Sequence, residues 1–245
     1  MSPSATIILT AALLPAVILL IIILIRDKEN PEPAPLLAKG VLYGVLSVFG
    51  SFLISAPLLA SGLVPGAYDN AIGAVLYAFG AAALPEEASK LFFLWLLLRK
   101  NPYFDEYFDG IVYAVCIGLG FAGVENIMYV FNAGDAWAVT AIMRALLAVP
   151  AHFFFAVIMG YYFSLVHFGR NVHRNKILML LAPVLAHGIY DGILMSLEVT
   201  PQVGGFFAVA LLLFCNEMRK LCARHIRSLK AADENNYDKF YTNIH

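Results

Sequence analysis

The chain has 245 residues, of which 61% are hydrophobic and 13% are charged, and its mean hydropathy is +0.77. Soluble domains contain about 25% charged residues, so this composition predicts an integral membrane protein. The net charge of −1 argues against a nucleic-acid partner, because binding to phosphates requires a basic surface. Cys116, Cys215 and Cys222 form no CxxC metal pair and are predicted to be packing residues.

The first apolar segment, residues 5–25, is predicted to be a transmembrane helix and not a cleaved signal peptide. No basic residue precedes it, it is longer than the usual core of a signal peptide, and Arg26 and Lys28 follow it in place of a small-residue cleavage site. Its length matches the stretch of about 20 apolar residues that crosses a bilayer.

Six further apolar segments follow, and they predict an all-α polytopic membrane protein with a bundle of about seven transmembrane helices. The seven segments comprise residues 5–25, 37–60, 70–98, 110–132, 139–167, 176–198 and 202–222. The connections between them are short, which favours a single transmembrane domain of residues 1–222. Residues 223–245 are rich in charged and polar side chains and are predicted to form a short cytoplasmic tail.

Positively charged residues occur at alternate connections between the segments. They flank the first, third and fifth connections and follow the seventh segment, at Arg26, Lys28, Lys39, Arg99, Lys100, Arg170, Arg174, Lys176, Arg219, Lys220, Arg224, Arg227 and Lys230. Because cytoplasmic loops are enriched in Lys and Arg, this pattern predicts the amino terminus outside and the carboxyl terminus in the cytoplasm. In a bacterium, the membrane would be the cell membrane.

The third segment contains three charged residues near its centre, Glu86, Glu87 and Lys90. A charge at the centre of a membrane helix costs about 2.5–3.5 kcal/mol on insertion scales, so these residues require partners. The spacings i, i+4 and i, i+3 allow the one ammonium group to reach both carboxylates. Pro85 precedes them and interrupts the helical hydrogen bonding, which is typical of a segment that lines a water-filled cavity.

The fourth segment combines small residues with a polar pair. The sequence GLGFAG, residues 118–123, also spells the dinucleotide-binding pattern G-x-G-x-x-G, but it lies within an apolar segment and follows no strand. Small residues let membrane helices approach closely, so we interpret these glycines as packing residues. Glu125 and Asn126 follow in the outer half of the segment.

The fifth and sixth segments contribute His152, His187 and Asp191. His187 and Asp191 are four residues apart in HGIYD, and a carboxylate beside a histidine commonly fixes its tautomer. Arg144 lies two turns outward of His152 and is predicted to extend its side chain to the outer interface. Polar residues at similar depth on four helices predict one interior site, since several unpaired charges would cost on the order of 10 kcal/mol.

These polar positions together resemble the motifs of the PrsW-type intramembrane proteases, within the wider CAAX-protease and bacteriocin-processing superfamily. The matching stretches, in the order of the family between about residues 80 and 195, are EEASK at Glu86–Lys90, GFAGVEN at Gly120–Asn126, His152, and HGIYD at His187–Asp191. The superfamily has F-x-x-x-H as its second motif. This chain has Phe121 and Glu125 at those positions, which resembles the PrsW-like variant.

The resemblance implies an endopeptidase that hydrolyses peptide bonds of membrane-anchored proteins, within or near the bilayer. PrsW-like enzymes are associated with membrane-anchored regulators such as anti-sigma factors, whereas the diverged second motif disfavours prenylated substrates. Members are described both as glutamate-type and as metal-dependent proteases, so the resemblance leaves the mechanism open.

The residues support two routes to amide hydrolysis, which requires an activated water and a stabilised oxyanion. In the first, one glutamate of the Glu86–Glu87 pair removes a proton from water, while a histidine donates to the oxyanion. In the second, two histidines and a carboxylate bind a divalent metal such as Zn²⁺, and the remaining glutamate is the base. The predicted catalytic residues are Glu86, Glu87, Glu125, His152 and His187; the supporting residues are Lys90, Asn126 and Asp191; the metal ligands are His152, His187 and a carboxylate, which is Glu125 or one of the Glu86–Glu87 pair.

Two other classes of function are compatible with these residues. A proton- or ion-coupled transporter or channel also places Glu, Asp and His near the middle of the membrane, although no internal repeat typical of such transporters is evident. A haem protein would use His152 and His187 as axial ligands but would leave the Glu86–Glu87–Lys90 cluster unexplained. Intramembrane proteolysis therefore explains more of the polar residues than either alternative.

Overall fold

A computed structural model describes residues 4–242 of the chain and the side chains of residues 4–235. The described part consists of helices joined by short connections and contains no strand. Its α-helices are α1 (Ala5–Arg26), α2 (Ala34–Ala60), α3 (Ala71–Tyr77), α4 (Leu84–Leu98), α5 (Asp109–Asn132), α6 (Trp137–Met143), α7 (Val149–His167), α8 (Val172–Val199) and α9 (Gly204–Thr242).

Seven continuous helical segments result within these residues, because two pairs of helices are joined without a break. α3 continues into α4 through the π-helical turns Ala78–Ala83, and α6 continues into α7 through Arg144–Ala148. Six of the seven segments begin and end within a few residues of the limits that the hydropathy predicts, and the seventh begins where predicted but continues to Thr242. This arrangement confirms the all-α polytopic architecture. Five have the length and apolar character needed to cross a membrane: Ala5–Arg26, Ala34–Ala60, Asp109–Asn132, Gly134–His167 and Val172–Val199.

α5 is the central helix of the bundle, and every residue from Asp109 to Gly123 is buried. It packs against α1, α2, α4 and α7. Glycines permit the closest of these contacts, since Gly44 of α2 lies against Gly120. The packing role predicted for GLGFAG is therefore confirmed. The three cysteines are free, and two of them, Cys116 and Cys222, are fully buried.

Gly44→Ala is expected to destabilise the bundle. A Cβ atom at this position would lie 2.1 Å from the carbonyl oxygen of Ile117 and 2.9 Å from the Cα of Gly120, and backbone atoms cannot rotate away. Overpacking of this kind costs about 1–3 kcal/mol. Thermal unfolding of the purified protein in detergent measures the effect. Gly66→Ala is the control, since nothing lies within 4 Å of its added methyl group, and equal Tm values would contradict the prediction.

The segment predicted as a cytoplasmic tail continues α9 as far as Thr242. Ile226 and Leu229 are buried in the same hydrophobic core as α5 and α7. The carboxylate of Asp233 accepts hydrogen bonds from the backbone N–H groups of Tyr107 (2.7 Å) and Phe108 (3.0 Å), and so satisfies donors at the start of α5. Residues 243–245 lie outside the described part, and the domain boundary at residue 222 stays a prediction.

Asp27→Asn is expected to stabilise the protein at pH 8 and to have less effect towards pH 4. Burial at the end of α1, with Glu32 and Glu106 adding negative charge, raises the pKa of the Asp27 carboxyl from 3.8 to about 7. Because the pKa is raised in the folded state, the contribution of the Asp27 carboxyl to stability is greatest below about pH 4, where it is protonated. That contribution is lost as the pH rises through 7 and the buried group becomes charged. Thermal unfolding at pH 5 and pH 8 tests this. An equal shift in Tm at both values would contradict it.

Candidate active site

A proline lies just before the polar residues of the site in each of two helices. Pro85 lies at the start of α4, directly after the π-helical turns Ala78–Ala83, and Glu86 and Glu87 follow it. Pro150 likewise lies at the start of α7 after a π-helical stretch, and His152 follows two residues later. Proline supplies no N–H to the preceding turn, and π-helical insertions change which residues face inward and frequently occur at functional sites.

Lys90 lies at the centre of the polar cluster. Its Nζ atom is 2.8 Å from Oε1 of Glu87, 3.2 Å from Oε2 of Glu86 and 3.3 Å from Nδ1 of His152. The same ammonium group lies 3.8 Å from the ring centroid of Phe121, which forms an aromatic wall. The contacts that the spacing of Glu86, Glu87 and Lys90 predicts are present.

His187 is held at both ring nitrogens. Its Nδ1 atom is 2.9 Å from Oε1 of Glu87, and its Nε2 atom is 3.1 Å from Oδ2 of Asp191. Phe155 stacks on the imidazole with a centroid distance of 4.7 Å and an interplanar angle of 17°. The predicted pairing of His187 with Asp191 is therefore present, and the orientation of the ring is fixed on three sides.

His152 belongs to a second set of contacts, with Glu125, Asn126 and Arg144. Its Nε2 atom is 2.8 Å from Oε2 of Glu125, and Nη2 of Arg144 donates to the same oxygen at 2.7 Å. Nε of Arg144 donates to Oδ1 of Asn126 at 2.6 Å. The prediction that Arg144 extends to the outer interface is wrong: the side chain is only 14% exposed, because acceptors at matching depth pair it inside the bundle.

A cavity of about 470 Å³ gives access to the cluster. Glu86 contributes to its lining and has a side chain that is 14% exposed, whereas the side chain of Glu87 is fully buried beneath it. The cavity extends to Tyr68 in the α2–α3 connection and to Glu198 near the end of α8, which are joined by a hydrogen bond of 3.1 Å. It therefore extends to the end of the bundle where these residues lie.

The site carries an excess of negative charge. It contains four carboxylates but, apart from the histidines, only two basic side chains. The carboxylates are Glu86, Glu87, Glu125 and Asp191, and the basic side chains are Lys90 and Arg144. Oε2 of Glu87 is buried and has no hydrogen-bond partner within the described side chains. A buried carboxylate is stable only when it is paired or neutralised, so the site favours an additional positive charge, as protons on the histidines or as a metal ion.

One compact group of potential metal ligands occurs in the described residues. Glu86, Glu87 and His152 each offer one ligand atom, and these atoms lie within 4.8 Å of one another. Two carboxylates and an imidazole are ligands that suit a catalytic zinc ion, and Glu87, which has one unpartnered oxygen, belongs to this group. The group contains His152 and the Glu86–Glu87 pair, which the sequence offered as ligands, but it does not include His187 or Glu125.

The aromatic walls of the site and the partners of Arg144 were not predicted from the sequence. Phe155 follows His152 by three residues, so helical spacing alone places both on one face. Arg144 precedes His152 by eight residues, which is about two helical turns and again the same face. Both signals were present in the sequence, but neither indicates which side chains of the other helices would meet that face.

Comparison with known proteins identifies the family. Residues 32–216 match the family model described as "PrsW family intramembrane metalloprotease". The chain belongs to the PrsW family. Its relatives include proteins named Protease PrsW from Geobacillus kaustophilus (strain HTA426), 37% identical over 83% of this chain and 86% of the relative, and from Bacillus subtilis (strain 168), 33% identical over 78% and 84%. A third, from Clostridioides difficile (strain 630), is 35% identical over 75% and 77%.

Membership in the PrsW family confirms that this chain is an intramembrane protease and a multi-pass membrane protein. The match covers all four motifs that carry the resemblance in the sequence. The transporter alternative receives no support from the comparisons. No solved structure matches this PrsW-family chain.

Proposed function

We propose that this protease cleaves a membrane-anchored protein inside the cavity, with Glu86 as the general base. The observation that carries the proposal is the different exposure of the two adjacent glutamates. Glu86 lines the cavity, whereas Glu87 is fully buried and does not. Only a carboxylate that reaches the cavity can accept a proton from water held there, because a base must lie within hydrogen-bond reach of that proton.

Lys90 supports the base without touching the cavity. Its ammonium group, 3.2 Å from Glu86, favours the ionised form of that carboxylate, which is the form that accepts a proton. After attack of water on the peptide carbonyl, the protonated Glu86 can return the proton to the departing amine. A positioned base of this kind contributes about 10²–10⁴-fold to the rate.

Glu87 and the histidines prepare the surroundings of the base. Glu87 binds both Lys90 and His187, and Asp191 holds the other nitrogen of His187. His187 and His152 both line the cavity, where the positive charge of a protonated imidazole stabilises the oxyanion of the tetrahedral intermediate. Fixed charges of this kind need no reorientation during the reaction, which is why their supporting contacts matter.

The residues fit a divalent metal ion, as the family description suggests. Glu86, Glu87 and His152 form the most compact donor group, and we propose them as the ligands in preference to His152, His187 and Glu125. A bound Zn²⁺ or similar ion supplies Lewis acidity and lowers the pKa of a bound water. A carboxylate that binds through one oxygen keeps its second oxygen for a proton, so ligation and the role of Glu86 are compatible.

His152→Ala is expected to reduce the metal content of the purified protein, because it removes one of three proposed ligands. The wild type is expected to retain about one divalent ion per chain, as catalytic sites with three protein ligands do. Elemental analysis by mass spectrometry after desalting measures the content. His173→Ala, at an exposed position outside the cluster, is the matched control. Equal metal content in the two variants would contradict this ligand assignment.

The cavity and the charge pattern support one side of cleavage, and the resemblance to PrsW-type proteases supports a substrate class. The cavity extends to Tyr68 and Glu198, which lie at the end of the bundle that contains the connections without Lys or Arg. The positive-inside rule places that end outside the cytoplasm. We propose cleavage near the outer half of the bilayer, in the bacterial cell membrane, with membrane-anchored regulators such as anti-sigma factors as the substrate class.

Mass spectrometry of membrane-protein fragments in cells tests the proposal. The cells would produce the wild type, the Glu86→Gln/Glu87→Gln double variant, or Glu217→Gln, which makes the same chemical change at an exposed glutamate. We expect new termini near a membrane span with the wild type and Glu217→Gln only, and these would name the substrate. Identical fragments in all three strains, at equal membrane insertion, would overturn the proposed function.

A further inference from the structure

Arg144 is held by several contacts on α5. Its guanidinium donates to Oε2 of Glu125 at 2.7 Å and to Oδ1 of Asn126 at 2.6 Å. The central guanidinium carbon also lies 4.1 Å from the ring centroid of Tyr129. Two charge-assisted hydrogen bonds and a cation–π contact fix the planar group in one orientation. A side chain held this firmly, and only 14% exposed, has a defined role inside the bundle.

The contacts of Arg144 continue to the proposed catalytic cluster. Oε2 of Glu125, which accepts from Arg144, is also 2.8 Å from Nε2 of His152. The other ring nitrogen of His152, Nδ1, faces Lys90 at 3.3 Å. When a carboxylate engages one nitrogen of a histidine, it fixes both the tautomer and the direction of the other nitrogen. Glu125 therefore determines what His152 presents to the cluster.

The far end of this series of contacts is anchored to a different helix. Nδ2 of Asn126 is buried and donates to the backbone oxygen of Ala12 in α1 at 3.0 Å. Asn126 is thus fixed on α1, Arg144 is fixed on Asn126, and Glu125 is fixed by Arg144. Among the described ion pairs, Glu125 has two partners, Arg144 and the imidazole of His152. Without the guanidinium, only the imidazole would remain.

We propose that Arg144 is a positioning residue for proteolysis: it holds Glu125 so that His152 presents Nδ1 to Lys90, the residue that binds Glu86 and Glu87. This inference rests on the proposed function, since it assigns a task to His152 within the reaction. Two other roles are physically distinct. A residue that binds substrate directly from the cavity wall would affect KM, and a residue that only joins α6–α7 to α5 would affect stability.

Purified full-length variants, assayed on the peptide bond identified by fragment mapping, distinguish these roles. Arg144→Gln is expected to lower kcat about 10- to 100-fold, the range found when contacts that orient a histidine are removed, with KM within about two-fold. Arg144→Lys keeps the charge but not the two-point geometry, so we expect an intermediate kcat. Arg219→Gln, at an exposed arginine, is expected to match the wild type.

A double-mutant cycle provides a readout that a structural role would not produce. If Arg144 acts through Glu125, then Arg144→Gln/Glu125→Gln has the same kcat as Glu125→Gln alone, because the single change has already broken the connection. Additive losses of kcat would overturn the inference, as would a raised KM at unchanged kcat. A lowered Tm with wild-type kcat per folded molecule would also overturn it. If Arg144→Gln does not fold, the kcat and KM of Arg144→Lys are measured in its place.

Glu86→Gln, assayed in the same series, separates this inference from the proposed function. If Glu86→Gln cleaves like the wild type, the proposed role of Glu86 as the base has failed. If Glu86→Gln is inactive and Arg144→Gln cleaves like the wild type, only the role of Arg144 is overturned.

Discussion

Glu86→Gln is expected to slow peptide cleavage by about 10²–10⁴-fold, the usual contribution of a general base, without preventing folding. Glutamine has nearly the same shape as glutamate but cannot take a proton from water. The fold should tolerate the change, because Lys90 keeps its shorter contact with Glu87 at 2.8 Å. Glu86 also borders the cavity, where water can hydrate the new amide group.

Initial rates of the purified protein on its mapped substrate measure this effect, with Tm in detergent as the check on folding. Glu217→Gln is the matched control, since its side chain is 59% exposed and lies outside the cluster. A Glu86→Gln variant that retains the wild-type rate, beside an inactive and folded Glu87→Gln variant, would transfer the role of base to Glu87.

Lys90→Met is expected to destabilise the protein by about 3–5 kcal/mol, the cost of removing one partner from a buried ion pair. The side chain of Lys90 is 4% exposed, and that of its partner Glu87 is fully buried. Methionine fills a similar volume but leaves two neighbouring carboxylates without the ammonium group between them. Repulsion between like charges at close range adds to the loss. Denaturant unfolding in detergent measures the change in the free energy of unfolding.

Two further variants make this measurement specific. Lys220→Met removes a lysine whose side chain is 46% exposed and which pairs with Glu217, and we expect a loss of at most about 1 kcal/mol. Lys90→Met/Glu87→Gln removes the buried partner as well and should be less destabilised than Lys90→Met alone. Equal unfolding free energies for Lys90→Met and Lys220→Met would show that the buried pair contributes nothing.

The positions of the helices follow from the sequence because the length of an apolar segment must match the bilayer. The first segment is predicted at residues 5–25 and forms Ala5–Arg26, and the second is predicted at 37–60 and forms Ala34–Ala60. The interior of the third segment was not predictable in the same way. Pro85 shows that the hydrogen-bond ladder is interrupted, but not that π-helical turns would restore a continuous helix.

Contacts within one helix follow from spacing, whereas contacts between helices depend on how each helix is rotated. Lys90 reaches Glu86 and Glu87 because residues three and four apart are neighbours on a helix. Which glutamate faces the cavity is a different matter, since adjacent residues point about 100° apart around the helix axis. Packing of α4 against its neighbours decides that Glu86 lines the cavity and Glu87 does not.

Arg144 shows where a general rule gives the wrong result for a particular residue. Long basic side chains near a helix end usually extend to the interface. Here Glu125 and Asn126 lie at the same depth on the neighbouring helix and accept hydrogen bonds from the guanidinium. Pairing within the bundle then replaces hydration at the interface. The sequence contains all three residues but not the rotation of α5 that brings them together.

Cleavage in reconstituted liposomes prepared in H₂¹⁸O tests most directly whether Glu86 activates a water molecule for peptide hydrolysis in this site. Wild-type protein and Glu86→Gln would each be combined with the membrane-anchored substrate identified by fragment mapping, and the fragments analysed by mass spectrometry. We predict that the wild type yields a fragment whose new carboxyl terminus contains ¹⁸O, and that Glu86→Gln yields almost none. Equal amounts of labelled fragment from both proteins would contradict the assignment of Glu86 as the base.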